Sequence, residues 1–80
     1  MDATPTTPTT LARLIKTARV DAGLTQVDLA AKIGTVQSTI SAWESGKAKP
    51  NTAYILDLAR ATGADRDAFL DALESDRALR

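Results

Sequence analysis

Eighty residues carrying ten Lys and Arg against ten Asp and Glu make a small chain of zero formal charge, enough for one domain that buries only about 60 per cent of its unfolded surface. With no Cys and no His, the chain has no disulfides, no thiolate or imidazole metal ligands, no thiol nucleophile and no imidazole general base. No apolar run approaches the roughly 20 residues that cross a bilayer, and the N-terminus lacks a basic region followed by an apolar one, so a cytoplasmic location is expected.

Residues 1–9, rich in Thr and Pro, have no apolar face with which to repay ordering entropy and are expected to form a disordered arm. The arm has no Lys or Arg, which argues against a minor-groove role. The domain proper is expected over residues 10–80. Helix 1 starts near Thr9 or Thr10 and runs to Ala22, with Leu11, Leu14, Ile15, Ala18 and Ala22 inward and Gly23 closing it. Helix 2 opens on stacked signals. Thr25 can cap the first turn, Asp28 can reach back to the cap, and Leu24 can pack on Leu29 across it. Leu29, Ala30 and Ile33 form its apolar stripe, and Gly34 supplies the residue that tolerates a positive φ past the helix end.

Helix 3 runs from roughly Gln37 to Glu44, with Ile40 and Trp43 inward and Gln37, Ser38, Ser41 and Ala42 pointing elsewhere with little bulk. Such a face can approach a base edge closely: in a major groove Gln pairs with adenine, Ser bonds most bases and Ala touches the thymine methyl. The same composition also suits an ordinary solvated face. Next, Ser45-Gly46-Lys47-Ala48-Lys49-Pro50 breaks the helix and sets two cations on a loop. Asn51 caps helix 4, which reaches about Ala61 with Ile55, Leu58, Ala59 and Thr62 inward and Gly63 as its stop. Helix 5, about 66–78, is capped by Asp65, and its apolar surface of Phe69, Leu70, Ala72, Leu73 and Leu79 is interrupted by Asp76. Five helices offer more apolar surface than a four-helix core uses, so Phe69, Leu70 and Leu73 are candidate dimer contacts.

Two short helices around an apolar-Gly turn make a helix-turn-helix. The run from Leu24-Thr25-Gln26 through Leu29-Ala30, Ile33-Gly34, Gln37, Ile40, Trp43-Glu44, Gly46-Lys47 and Pro50 resembles the Cro/repressor-type helix-turn-helix family of the lambdoid phage repressors, over about residues 10–64. The resemblance implies an all-α, compact five-helix, lambda-repressor-like fold with the motif at helices 2 and 3, and double-stranded DNA as partner. It implies that Gln26 contacts a phosphate and buttresses Gln37 against an adenine, and that Ser38, Ser41 and Ala42 read further bases. Lys47 and Lys49, with Thr39 and Ser45, are then expected on the phosphate backbone, and Arg19 is expected to pair with Glu44.

Four positions depart from the family pattern: Thr35 stands where the turn usually has an apolar residue, Val36 where a capping side chain is usual, Val27 where a polar one is usual and Thr62 where a Leu is usual. The missing cap is expected to cost about 0.5 to 2 kcal/mol and can shift the helix 3 start by one residue. Charge is unevenly placed. Residues 11–60 hold seven basic side chains against four acidic, while residues 65–80 hold five acids against three bases, so the C-terminal end is expected to face away from DNA. The expected function is a sequence-specific transcriptional regulator, a repressor binding a pseudo-palindromic operator as a homodimer. The alternative is a protein-interaction module of the same fold, with a toxin or antagonist protein as partner. No cofactor, metal or enzymatic activity is expected, since the acidic residues read as caps or solvated positions without a nucleophile-base pair.

Overall fold

A computed structural model describes residues 10–78. The Thr/Pro arm expected at residues 1–9, and Leu79, lie outside the described residues. Five helices follow in order: α1 (Thr10–Asp21), α2 (Gln26–Ile33), α3 (Gln37–Ser45), α4 (Thr52–Thr62) and α5 (Arg66–Ala78). No strand occurs among the described residues. Helix α1 packs on α3, α4 and α5, α2 on α3 and α4, and α4 on α5.

The local start and stop signals act where the sequence places them. Thr25 Oγ1 accepts from the Asp28 amide at 3.0 Å and the Asp28 carboxylate accepts from the Thr25 amide at 3.0 Å, completing the capping box of α2. Asn51 Oδ1 accepts from the Tyr54 amide at 2.9 Å and so caps α4. Gly34 ends α2 at φ 81°, a left-handed turn that a side chain would strain. That turn aims the chain into α3.

The inward stripes converge on one core in which Leu11, Ile15, Leu29, Ile40, Ile55, Leu58 and Phe69 are fully buried. Each such side chain contributes about 1.5 to 3 kcal/mol by leaving water. Trp43 of α3 stacks tilted on Tyr54 of α4 with ring centroids 5.1 Å apart, which ties the second helix of the motif to the scaffold.

Several expectations are corrected here. Ala22 lies past the end of α1 and is exposed, and Ala12 takes a core position instead. Thr62 is only half-buried: its hydroxyl donates to the Leu58 carbonyl at 2.7 Å and accepts from the Ala64 amide at 3.4 Å, so it serves the end of α4 rather than filling the core. Phe69 is 0% exposed and has no surface left for a dimer contact. Asp76 does not merely interrupt an apolar surface. It is buried, and its two carboxylate oxygens accept from the Thr10 amide at 3.1 Å and the Leu11 amide at 2.9 Å. The first turn of α1 is thus capped by a carboxylate from α5, where the helix dipole also favours negative charge.

Candidate nucleic-acid interface

The motif presents α3 at the surface because only one side of it is needed for packing. Ile40 and Trp43 are buried, while Gln37, Ser38 and Ser41 are exposed and Thr39 and Ala42 half-exposed. The exposed face is uncharged and short, so a backbone or base edge can come near it. Its start is open. Val36 occupies the cap position with no side-chain hydrogen bond to α3, and its carbonyl takes the Thr39 amide at 3.0 Å and the Ile40 amide at 3.4 Å. Helix α3 nevertheless begins at Gln37, so the absent cap does not shift its register. Val36 and Val27 are 61% and 57% exposed.

Four polar side chains from three helices join behind this face. Arg19 Nε donates to Glu44 Oε2 at 2.6 Å and Arg19 Nη2 to Glu44 Oε1 at 3.1 Å, a two-pronged pair with side chains only 12% and 5% exposed. The Arg19 guanidinium also donates through Nη1 to the Leu24 carbonyl at 2.8 Å, fixing the loop that enters α2. Its pKa is raised above the ordinary value, chiefly by the hydrogen bond to Glu44, against the opposing effect of burial. Gln26 Nε2 donates to Glu44 Oε1 at 3.1 Å, and Gln37 Nε2 donates to Gln26 Oε1 at 3.3 Å. The glutamine at the tip of the exposed face is therefore connected, bond by bond, to a buried charge pair.

The loop after α3 turns at Gly46, φ 83°, and the Lys47 and Ala48 amides donate back to the Ala42 carbonyl at 3.0 and 3.3 Å. This hydrogen bonding holds the loop that carries Lys47 and Lys49, both exposed. Ser45 donates its hydroxyl proton to the Ala42 carbonyl at 3.2 Å, so that proton is committed to its own helix. Leu70 and Leu73 of α5 are half-buried and line a shallow groove with Thr52 and Glu74.

The family resemblance implied the Arg19 and Glu44 pair and the contact of the two glutamines separately. It missed the bond from Gln26 to Glu44 that joins them. The signal was present in the chemistry: a buried carboxylate has more acceptor capacity than one guanidinium uses.

A family model described as helix-turn-helix matches residues 15–69. Multiprotein-bridging factor 1a of Arabidopsis thaliana is 46% identical over 57 residues, which are 71% of this chain but only 40% of that protein. The crystal structure of the clp gene regulator ClgR from C. glutamicum superposes with a TM-score of 0.69 at 24% identity, covering 81% of this chain and 86% of that one, a likeness of fold. No helix among the described residues is long and apolar enough to cross a membrane. Motif, fold and family match agree: the chain belongs to the Cro/repressor-type, or XRE, helix-turn-helix family of DNA-binding transcriptional regulators.

Proposed function

We propose that this domain is a cytoplasmic, sequence-specific repressor that lays α3 in the major groove and binds a pseudo-palindromic operator as a homodimer. The observation that carries the reading is the Gln37 side chain, exposed on a face of short residues and held by Gln26, with exposed Lys47 and Lys49 on the adjoining loop. Gln37 reads an adenine, and Ser38, Ser41 and Ala42 contact neighbouring bases. Gln26, which keeps one amide proton unused by Glu44, meets a phosphate together with Thr39, Lys47 and Lys49, and Ser45 joins them once its hydroxyl rotates away from Ala42. Repression follows from occupying promoter DNA. Two copies read half-sites about 34 Å apart, joined through Leu70 and Leu73 of α5, which line a groove with Thr52 of α4 and Glu74.

The residue roles separate in a binding titration on labelled duplexes. Gln37→Ala costs about 1 to 3 kcal/mol and relaxes preference at one base pair, whereas Lys49→Ala weakens all sequences alike and lowers the salt slope by about one. The reverse pattern would mean that α3 does not enter the groove in this register.

A second reading has its own support. The relative from Arabidopsis thaliana is named a bridging factor, and the groove at Leu70 and Leu73 offers apolar side chains to a protein as readily as to a second copy. On that reading the domain is an interaction module for a toxin, an antagonist or another protein. Folded protein that selects no DNA sequence would favour it.

A further inference from the structure

Resting on the DNA-binding reading above, we propose that Glu44 is a positioning residue for base recognition. Its carboxylate sets the donor and acceptor order of two glutamine amides in series, so that Gln37 meets the groove in the orientation that matches adenine.

A carboxylate can only accept hydrogen bonds. The end of the Gln26 amide that faces Glu44 Oε1, 3.1 Å away, must therefore be its NH2 group. That leaves Gln26 Oε1 turned toward Gln37, and an acceptor there requires Gln37 Nε2, 3.3 Å away, to donate. One proton of the Gln37 amide is now committed. The second proton and Oε1 remain outward in a fixed order. Adenine offers N7 as acceptor and N6 as donor on its major-groove edge, which fits that order, while guanine offers two acceptors and leaves Gln37 Oε1 facing O6.

The start of the relay is held firmly. Both Glu44 oxygens are engaged by Arg19, and the side chain is 5% exposed, so water does not substitute for it. The geometry also tells what an isosteric change does. In Glu44→Gln the remaining carbonyl oxygen is retained opposite Arg19 Nε, where the bond is shortest at 2.6 Å. The new NH2 group then falls where Oε1 was and faces both Arg19 Nη2, whose bond to Glu44 is lost, and the Gln26 NH2. Two donors cannot share that bond, so the Gln26 amide turns over and the Gln37 amide follows. The order presented to the base is reversed.

The test uses the full chain and four duplexes that differ only at the base pair under Gln37. The native protein prefers adenine there by about 5- to 150-fold. Glu44→Gln loses most of that preference at this base pair and keeps its ranking at the others, and Gln26→Ala, which removes one bond to Glu44 and leaves both of its bonds to Arg19 in place, does the same if Glu44→Gln fails to fold. Arg19→Lys retains an acceptor-only carboxylate, so it loses thermal stability but keeps the adenine ranking. In a Gln37→Ala background, Glu44→Gln changes the ranking no further. Full adenine preference in folded Glu44→Gln, or an equal loss on all four duplexes, overturns the assignment. A measurement without DNA separates the two ways to fail. The Gln37 side-chain amide resonances should shift in Glu44→Gln although the two residues do not touch. Unmoved resonances overturn the relay itself, while shifted resonances in a protein that ranks no sequence overturn the role in recognition through failure of the DNA-binding reading.

Discussion

Helices α1 and α3 begin in opposite ways. The first turn of α1 is closed by Asp76, a buried carboxylate brought from α5, which accepts from two backbone amides. The first turn of α3 has Val36 at its cap, exposed and without a side-chain hydrogen bond. Helix α3 is instead fastened near its far end, where Glu44 meets Arg19 of α1, and by Ile40 and Trp43 in the core. Polar fastening sits on the inside for both helices, and at the start of α3 no side chain takes the backbone amides, the tie there being the bond of the Gln37 side chain to Gln26.

Substitutions on either side of this contrast can break it or sharpen it. The largest effect is expected at the inner fastening. Arg19→Ala strands the Glu44 charge at 5% exposure and costs about 3 to 5 kcal/mol, a large part of the roughly 4 to 12 kcal/mol that a domain of this size has in total. Thermal and urea unfolding measure it, and a loss under 1 kcal/mol would remove the pair from its anchoring role. Asp76→Ala comes next. Two amides lose a charged acceptor in a buried place, for about 1.5 to 3 kcal/mol, and amide exchange should quicken at Thr10 and Leu11 ahead of the rest of α1. Uniform exchange across α1 would show that the cap is not what holds that turn.

At the open end the sign reverses. Val36→Ser supplies the missing cap and should raise stability by about 0.5 to 2 kcal/mol, read as a higher urea midpoint at unchanged slope. A lower midpoint would mean that Val36 contributes packing that its exposure hides. The smallest effect belongs to the capping box of α2. The Thr25 amide holds the Asp28 carboxyl below its ordinary pKa of 3.8. A carboxyl lowered by folding stabilises above that ordinary value and loses its contribution as the pH falls through the lowered one. The stability gap between the native chain and Asp28→Ala should therefore be steady at neutral pH and close in acid; a gap that persists in strong acid would point to packing rather than charge.

Local chemistry made much of this legible from residues alone. Thr25, Asp28, Gly34, Asn51 and Gly63 act within four residues of themselves, and each appears at the helix boundary where its type belongs. What spans the chain was less legible. Asp76 caps residues 65 and 66 positions away, and its only local trace is a carboxylate in an apolar surface. Phe69 was misread for a related reason. In α5 the pairs Phe69 with Ala72 and Leu70 with Leu73 have the same spacing, so periodicity marks two adjacent stripes without telling which one α1 and α4 cover. The first is buried and the second half-exposed. In the candidate site, the residue types of Gln26, Gln37 and Glu44 were readable, but the order of their hydrogen bonds depends on how α2 and α3 meet.

The most direct test of the central claim is selection of bound sites from a random duplex library at about 0.15 M salt, followed by sequencing. A sequence-specific dimer reading DNA through α3 predicts enrichment of a two-fold pseudo-palindrome with an adenine in each half-site whose preference disappears in Gln37→Ala. Folded protein that enriches no sequence, or that enriches one indifferent to Gln37, would contradict it.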